Sequence, residues 1–490
     1  MSRREQEIEH LFRRAGFGAS QEEIDAHNRL SFASYSGAVA QLLNYTEFPD
    51  DVDSFVQRPG YVGVTGRSGS GFQPATNILD ARQRWLFRMI HTKRPLQEKM
   101  ALFWHNHFAT AYTKVVGEIG DSAIATRMFA AKPEDDGSRT TGQLELFREH
   151  AMGNFRDLLV EVAKDPAMLV WLDGRTNIRT RPQENFAREL MELFTIGVGH
   201  FEETDVYAGA RVFTGWNLAL ANRNTAQARY DFFYNAPQHD TTAKEFSFPI
   251  YSDGARVIPA RSAADGMQDG IELINALARH PLTGPRLALK LYRYFINEVD
   301  PPDEGLIEGL ARVYYASGFE IGPMVRLILM SSQFKDPANY YRRYSWPVEF
   351  VVRSIKEVGW QGFSVNTALT PLVNMGQQLF EPPDVNGWEL AQGWFSSGGM
   401  LARMNFAATL ATNQRFNLRE QTRGKVDSAE SMLTFMLDRL TPPEFSRDAY
   451  NALLEYANFG GAWTGSDTQL AAKSSGLAHL ITGSGDYQLV

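Results

Sequence analysis

Two neighbouring segments decide the fold class: Ile78-Leu79-Asp80-Ala81-Arg82-Gln83-Arg84-Trp85-Leu86-Phe87 and, after Pro95, Leu102-Phe103-Trp104-His105-Asn106-His107-Phe108. Apolar residues recur every three or four positions over 78–93, which is typical of an amphipathic helix. Pro95 is predicted to start a second helix that runs to about Thr110, because proline is favoured at the first helical position. Two helices in close succession indicate a mainly α protein.

The same spacing predicts helices along most of the chain. We expect them near 142–152, 154–164, 183–196, 204–214, 266–279, 284–296, 303–317, 321–332, 346–358, 398–412, 428–440 and 446–457. Strand-like alternation is confined to about 212–260, where Tyr230-Asp231-Phe232-Phe233-Tyr234 and Phe246-Ser247-Phe248 indicate a small β insert. Residues 57–77 and 115–140 are predicted as long loops, and the tail beyond 459 as loosely packed.

The domain organisation follows from the evenness of this pattern. A chain of 490 residues is long for one domain, but no internal repeat or low-complexity linker divides it. We therefore expect one large helical domain with a small β insert. Residues 1–415 are assigned to the helical core with the insert, and 416–490 to a C-terminal helical extension packed on that core.

Composition excludes several classes of protein. A net charge of -8 argues against non-specific nucleic-acid binding, which requires a basic surface. The absence of cysteine excludes disulfides, thiolate metal sites and cysteine nucleophiles. No apolar run of about eighteen residues is present, so no membrane span is predicted. The paired Arg3 and Arg4 are followed by no apolar stretch, so we predict neither a twin-arginine nor a general secretion signal.

The helix from Pro95 carries two histidines, His105 and His107. A rotation of 100° per residue places His107 on one face with Leu96, Met100, Phe103 and Trp104. His105 lies well away from that face, and the i, i+2 spacing is poor for joint metal ligation from a regular helix. Two interpretations of His107 are open: a core histidine, or a metal ligand or acid–base group that changes charge near neutral pH.

The predicted helix around 184–194 has one polar and one apolar face. The polar face gathers Glu184, Asn185, Arg188, Glu189 and Glu192. Glu184 and Glu192 each lie four residues from Arg188, so one interpretation is a surface ladder of ion pairs. Three carboxylates around a single arginine also suit a divalent cation or an acid of raised pKa. Both interpretations remain open.

Two further segments are candidates for a site. His239-Asp240 leaves the predicted β insert, with Lys244 four residues on, and loops of this kind often carry function. Phe380-Glu381-Pro382-Pro383-Asp384-Val385-Asn386-Gly387-Trp388, together with Trp394, contains too many turn formers for a helix. Its tryptophans either line a cleft or anchor the loop on the core.

Taken in order, these segments resemble one bacterial family, DUF1800, from about residue 8 to about 410. The resemblance rests on Leu11-Phe12-Arg13-Arg14-Ala15-Gly16-Phe17-Gly18, Trp104-His105-Asn106-His107-Phe108, Gly153-Asn154-Phe155-Arg156-Asp157-Leu158-Leu159, the 184–194 helix, Phe213-Thr214-Gly215-Trp216, His239-Asp240 and Asp384-Val385-Asn386-Gly387-Trp388. The motifs are specific as a set, and each alone is weak.

The resemblance implies a partner and a location. Members of the family are often encoded beside proteins of a second family, DUF1501, which look like sulfatases and alkaline phosphatases and often carry a twin-arginine signal. The resemblance thus leads us to expect that a chain without its own signal is exported as a folded passenger of that partner. A periplasmic or extracellular location is therefore expected, and a cytoplasmic one if no such partner exists.

The leading hypothesis for function is a metal-assisted, hydrolase-like enzyme outside the cytoplasm. Its catalytic residues are predicted to be His107, Arg188, Glu189, His239 and Asp240, and its metal ligands His105, His107, Glu189, Glu192 and His239. Imidazole and carboxylate groups suit zinc, manganese or iron, which activate a bound water. The alternative is a non-enzymatic helical scaffold that binds the phosphatase-like partner or a surface glycan. A haem- or quinone-linked oxidoreductase has no supporting motif.

Overall fold

The N-terminal part of the chain is helical from α1 to α12. The structure is a computed structural model that describes residues 3–29, 34–66, 71–388, 391–440 and 445–490. The first twelve helices are α1 (Arg3–Arg14), α2 (Gln21–Asn28), α3 (Tyr35–Leu43), α4 (Ile78–His91), α5 (Pro95–His107), α6 (Tyr112–Ile119), α7 (Ser122–Ala130), α8 (Gln143–Glu149), α9 (Phe155–Lys164), α10 (Pro166–Trp171), α11 (Asn185–Glu189) and α12 (Glu203–Val212). A π-helical turn, Leu190–Phe194, continues α11 directly.

A small β insert separates these helices from the second half. Strands β1 (Trp216–Ala221) and β2 (Arg229–Tyr234) form one antiparallel pair, and β3 (Lys244–Glu245) and β4 (Val257–Ile258) form another. Trp216 is opposite Tyr234 and Ala221 is opposite Arg229. The predicted insert at 212–260 is confirmed, although Phe246-Ser247-Phe248 follows β3 rather than forming a strand.

The second half returns to helices. They are α13 (Met267–Arg279), α14 (Thr283–Phe295), α15 (Glu304–Ala316), α16 (Ile321–Met330), α17 (Ser332–Lys335), α18 (Pro347–Val358), α19 (Asn366–Asn374), α20 (Ser397–Asn413), α21 (Arg415–Thr422), α22 (Ala429–Leu440), α23 (Arg447–Asn458) and α24 (Asp467–Thr482). The mainly α fold class is confirmed. Among the helices of the described residues, none combines the length and the apolar character needed to cross a membrane.

The decisive segments α4 and α5 form the centre of the core. Helix α4 begins where the Asn77 side chain accepts a hydrogen bond from the Leu79 backbone N–H, and α5 begins at Pro95. The indoles of Trp85 and Trp104 are fully buried. Each indole N–H has a partner: Trp85 donates to Glu98 at 3.1 Å, and Trp104 donates to the Ala151 carbonyl at 3.0 Å. Both helices are therefore fixed by polar contacts as well as by apolar packing.

A network of buried ion pairs joins α4, α5 and α8. Arg88 binds Glu145 at 2.5 Å and Asp53 at 2.6 Å, while Arg148 binds Glu98 at 2.7 Å. Charges this deeply buried are tolerated only when they are paired and hydrogen-bonded. We assign this network to the architecture of the core, because each charged group is bound by another group of the network.

Two predictions of irregular structure are wrong. Within 115–140, the chain forms the last part of α6 and all of α7, and Val115 and Phe129 are buried. Beyond 459, α24 packs against α20 and α21, and Leu477 is buried. Both segments are helical because packing on the core outweighs weak local preferences. The predicted loop 57–77 contains no helix or strand in its described part, and 67–70 lie outside the described residues.

The division of the chain at residue 415 stays a prediction. The last residues contact the core directly: Arg14 donates to the Val490 carbonyl at 2.7 Å, and the Ser345 backbone N–H donates to the Gln488 carbonyl at 2.9 Å. Through these hydrogen bonds the extension is held against α1 and against the segment that precedes α18.

Candidate functional site

A cavity of about 230 Å³ lies between α5, α14 and two loops, and we call it the α5–α14 cavity. One loop precedes α18 and the other follows α19. The walls are aromatic and polar, and they are formed by Phe103, Asn106, His107, Lys290, Arg293, Tyr294, Glu298, Arg343, Trp346, Asn386 and Trp388. A single water molecule needs about 10–15 Å³ of such volume, so the cavity has room for a small molecule.

His107 and Lys290 form a hydrogen-bonded pair in the cavity wall. Lys290 Nζ lies 2.8 Å from His107 Nδ1, and His107 Nε2 lies 3.2 Å from the Phe194 carbonyl oxygen. The carbonyl requires a donor, so the proton of a neutral imidazole is on Nε2 and Nδ1 accepts from Lys290. Burial, with the neighbouring Lys290 and Arg286, holds the pKa of His107 well below its usual value, which keeps the imidazole neutral.

Lys290 is in part an unprotonated amine near neutral pH. Burial, followed by repulsion from Arg286, lowers the pKa of Lys290 to about 7. Its Nζ donates to His107 and, at 3.4 Å, to the Leu193 carbonyl. A neutral amine has two N–H bonds and one lone pair, so these two acceptors use both donors. The lone pair of the neutral amine then has no donor among the described residues, and Lys290 is part of the cavity wall.

Residues 380–388 form a loop after α19, which we call the motif loop, and it completes the opposite wall of the cavity by contacting Asn106. The Trp388 backbone N–H donates to Asn106 Oδ1 at 2.7 Å. This contact fixes the orientation of the amide, so Asn106 Nδ2 is a donor, and it has no partner among the described residues. Gly387 makes the approach possible: it has φ +85°, and a Cβ there would lie 2.5 Å from the Asn106 carbonyl oxygen.

Hydrogen-bond donors exceed free acceptors around the cavity. Arg343 Nη2 and Trp346 Nε1 are buried and have no partner within the described part of the chain. Arg293 is exposed at the edge and makes no ion pair with any described residue. The one carboxylate, Glu298, already accepts the Tyr344 backbone N–H at 2.7 Å. The donors that remain for a ligand are those of Asn106 and Arg293, which are not fully buried, and both suit a ligand that carries oxygen atoms.

The π-helical turn after α11 supplies the acceptors behind the His107–Lys290 pair. The Phe194 carbonyl accepts from His107, and the Leu193 carbonyl accepts from Lys290 and, at 3.3 Å, from Arg286. The last carbonyls of a helix lack partners within the helix and form the negative end of its dipole. The turn thus orients donors of α5 and α14 toward one point.

Comparison with known proteins gives one result. The family model described as "Protein of unknown function (DUF1800)" matches residues 10–489, nearly the whole chain. The chain belongs to the DUF1800 family. No curated protein and no solved structure matches it. The resemblance seen in the motifs is confirmed, and the match extends past residue 410 to the C-terminal helices.

Two of the motifs that mark this DUF1800 protein meet at α5. His105 is buried, although the helical projection placed it away from the apolar face, because α5 is covered on nearly all sides. Its Nε2 accepts the Phe380 backbone N–H at 3.2 Å, and burial lowers its pKa to about 3. His105 therefore anchors the start of the motif loop, and Asn106 anchors its end.

The acidic residues in and around α11 are divided between two environments. Arg188 binds both carboxylate oxygens of Glu203, at 2.7 and 2.9 Å, and Glu184 at 3.3 Å. The ion-pair interpretation is thus observed for Glu184, with Glu203 as a further partner. Glu189 and Glu192 make no hydrogen bond with the described residues. Burial, then repulsion from Glu192, raises the pKa of Glu189 to about 6.

His239 and Asp240 lie beside the β insert, each with its own partners. His239 is fully buried; Nδ1 lies 2.9 Å from the Thr214 carbonyl and Nε2 3.2 Å from Asp269. Asp240 binds Arg211 at 2.8 Å. Asp269 is shared with Lys244 and with Arg261, at 2.6 Å from the latter. These contacts form a buried polar network that shares no residue with the α5–α14 cavity.

The positions of the histidine and carboxylate side chains bear on the predicted metal centre. Within the described ranges, no group of three or more His, Asp or Glu side chains is placed to hold a metal ion. The histidine nitrogens named above are already engaged with backbone or charged partners, so they fit a shared metal poorly. Ligation by His105, His107, Glu189, Glu192 and His239 together, and the catalytic roles assigned to His107, Arg188, Glu189, His239 and Asp240, stay predictions.

The sequence analysis did not identify Lys290, the hydrogen-bond partner of His107. Lys290 lies three residues after Leu287 and four before Tyr294, both buried in α14. A lysine on the apolar side of an amphipathic helix is the one signal that could have identified it. Arg293 and Arg343 belong to no motif, and only the fold brings them to the cavity.

Proposed function

We propose that this DUF1800 protein binds a small molecule with a carboxylate or phosphate group in the α5–α14 cavity and carries out acid–base chemistry on it. The observation that carries the proposal is the Lys290–His107 pair in the wall of a donor-rich cavity. Anions suit a site that has Arg293 at its edge and the Asn106 amide in its wall.

The contacts assign a separate role to each residue of the cavity wall. Lys290, with its pKa lowered to about 7, takes a proton from the ligand or from water as general base. His107 orients the amine and fixes the direction of its lone pair. Asn106 Nδ2 and Arg293 hold the anionic group. The aromatic walls exclude water and accept a flat or apolar part of the ligand.

Ligand titration tests the binding half of the proposal. Trp388 and Trp346 lie in the wall, so intrinsic fluorescence reports occupancy. Inorganic phosphate and acetate should produce a saturable change in the wild type, and Lys290→Met and Asn106→Ala should weaken it at least tenfold. Arg312→Ala is the matched control, since Arg312 is an exposed residue of α15. Equal titrations for all four proteins would reject the site.

Amine reactivity tests the catalytic half. Competitive labelling with acetic anhydride, followed by peptide mass spectrometry, gives the pH at which each lysine becomes nucleophilic. Lys290 should titrate near pH 7, about three pH units below ordinary lysines. Titration of Lys290 near pH 10 would remove its role as a base at neutral pH.

The metal-assisted enzyme and the scaffold predicted from the sequence can each be tested on the same protein. A metal-assisted reaction of the hydrolase type would appear as stoichiometric zinc, manganese or iron in protein purified without chelator, lost in His107→Ala and Glu189→Ala. A scaffold for a DUF1501 partner or a surface glycan would appear as co-purification with that partner from the native host, or as retention on immobilised glycan.

A further inference from the structure

We infer that Lys290 is a carbonyl-binding lysine: it forms an imine with a small oxo acid, a molecule that carries a ketone or aldehyde next to its carboxylate. The inference rests on the proposed function, because it uses the same cavity and the same anion. The proposed function allows any small anion as the ligand. The inference restricts the ligand to anions that also carry a ketone or aldehyde carbon.

The geometry of Nζ supports a nucleophile rather than a fixed ion pair. Lys290 lies in the cavity wall, its two donors are used by His107 and by the Leu193 carbonyl, and none of the described carboxylates is in ion-pair contact with it. Lysines that form imines are desolvated and lie beside another cation. Arg286, which donates to the same Leu193 carbonyl as Lys290, provides that cation.

Lys99 shows what distinguishes Lys290 from other buried amines. Burial also lowers the pKa of Lys99 to about 7. Lys99, however, is paired with Glu349, and it is not part of the cavity wall. An amine that is held by a carboxylate and has no access to the cavity offers no lone pair to a ligand. Lys99 is therefore an internal control of similar basicity.

The cavity also suits the rest of an oxo acid. Its volume of about 230 Å³ accommodates a molecule of a few carbon atoms. Asn106 Nδ2, held in place by the Trp388 N–H on Oδ1, offers a neutral donor to the carbonyl oxygen. Arg293 at the edge offers a charged donor to the carboxylate.

The bond changes balance with the groups present. The Nζ lone pair forms a bond to the carbonyl carbon, and the π pair of the C=O bond moves to oxygen. One amine proton passes to that oxygen by way of His107 Nδ1, which already faces Nζ at 2.8 Å. The resulting hydroxyl group then leaves with the second nitrogen proton as water, and the imine remains. No oxidant or reductant is consumed.

Reductive trapping tests the inference. The full chain is incubated at pH 7.5 with pyruvate, with acetone or with acetate, sodium cyanoborohydride is added, and peptides are mapped by mass spectrometry. Pyruvate should label Lys290 at least tenfold more than Lys99 or the exposed lysines. Acetone, which lacks the carboxylate, should label it weakly, and acetate should protect it from pyruvate. Arg293→Ala, which removes the charged donor at the edge of the cavity and breaks no ion pair with a described residue, should reduce the labelling of Lys290 while thermal stability is retained.

The outcomes separate the two proposals. Saturable acetate binding without a pyruvate adduct at Lys290 would overturn the imine and leave the anion site standing. The absence of both acetate binding and adduct would overturn both. Adducts spread evenly over surface lysines would also overturn the inference, because they would reflect general amine reactivity.

Discussion

The Trp388 backbone N–H lies 2.7 Å from the side-chain oxygen of Asn106, a residue 282 positions earlier in the chain. This hydrogen bond joins the two sequence motifs that are most distinctive in the chain and turns the Asn106 amide so that its nitrogen is free. The motif loop therefore serves two purposes at once: it closes the α5–α14 cavity and sets the direction of one of its donors.

Replacing Gly387 should uncouple this loop. In Gly387→Ala, the new Cβ would lie 2.5 Å from the Asn106 carbonyl oxygen at a φ of +85°, so both sterics and backbone strain oppose it. We expect a loss of stability of about 2 kcal/mol, together with loss of phosphate binding, measured by thermal unfolding and fluorescence titration. Gly117→Ala, in the exposed part of α6 with open space around it, is the control and should be neutral or slightly stabilising. Equal effects of the two changes would contradict the prediction.

The buried amine should make stability depend on pH in a defined direction. The folded pKa of Lys290 is lowered from 10.5 to about 7, so the favourable contribution of the neutral amine is complete above pH 10.5 and is lost as the pH falls to about 7. The thermal midpoint of the wild type relative to Lys290→Met should therefore rise between pH 7 and pH 9.5 and stay constant below pH 7. A difference independent of pH would show that the folded and unfolded amines titrate alike.

The carboxylates of Glu189, at the end of α11, and Glu192, in the π turn, should be coupled. The folded pKa of Glu189 is raised from 4.5 to about 6, so its contribution is fully present below pH 4.5 and is lost as the pH rises through 6. Glu189→Gln should therefore be stabilising above pH 6 and neutral near pH 4.5, as measured by thermal midpoints. In a Glu192→Gln background the gain should be smaller, because the repulsion has been removed. An unchanged gain in that background would attribute the shift to burial alone.

The Arg188 ion pairs should contribute little to stability. Arg188 is 31% exposed and its partner Glu203 is 78% exposed, so solvent screens their attraction. Arg188→Ala should lower stability by about 1 kcal/mol or less, as read from the thermal midpoint at pH 7 in 0.15 M salt. Under the same conditions, Arg88→Ala would break the buried pairs with Asp53 and Glu145 and should be far more damaging. A large effect of Arg188→Ala would give this arginine a role beyond its surface contacts.

The sequence predicted the elements whose signal is local. Helices α4 and α5 begin at Asn77 and Pro95 because capping and the fixed φ of proline act within one turn. Helix α24 was missed because glycine and serine are weak helix formers. In the fold, Gly476 of this helix packs so closely on Tyr456 that a Cβ would overlap the phenol oxygen. Small residues in α24 allow this close contact with α23. The sequence of α24 alone does not show that the contact exists.

The site was predictable only in part, for a related reason. Asn106, His107 and Trp388 stand in recognisable motifs, and all three line the cavity. Their chemistry depends on Lys290, and that pairing spans 183 positions of sequence. A helical projection assigns residues to faces of one helix. It carries no information on which other helix a face will meet.

The π-helical turn Leu190–Phe194 has a consequence for variation within the family. A π turn accommodates one residue more than an α-helical turn of the same rise, so a single deletion within it would restore α-helical geometry and change which carbonyls lie at the end of the helix. The Leu193 and Phe194 carbonyls would then swing away from Lys290 and His107. Sequences that differ in length at this point would thus lose the pairing even with both side chains intact, and length here is as diagnostic of a working centre as residue identity.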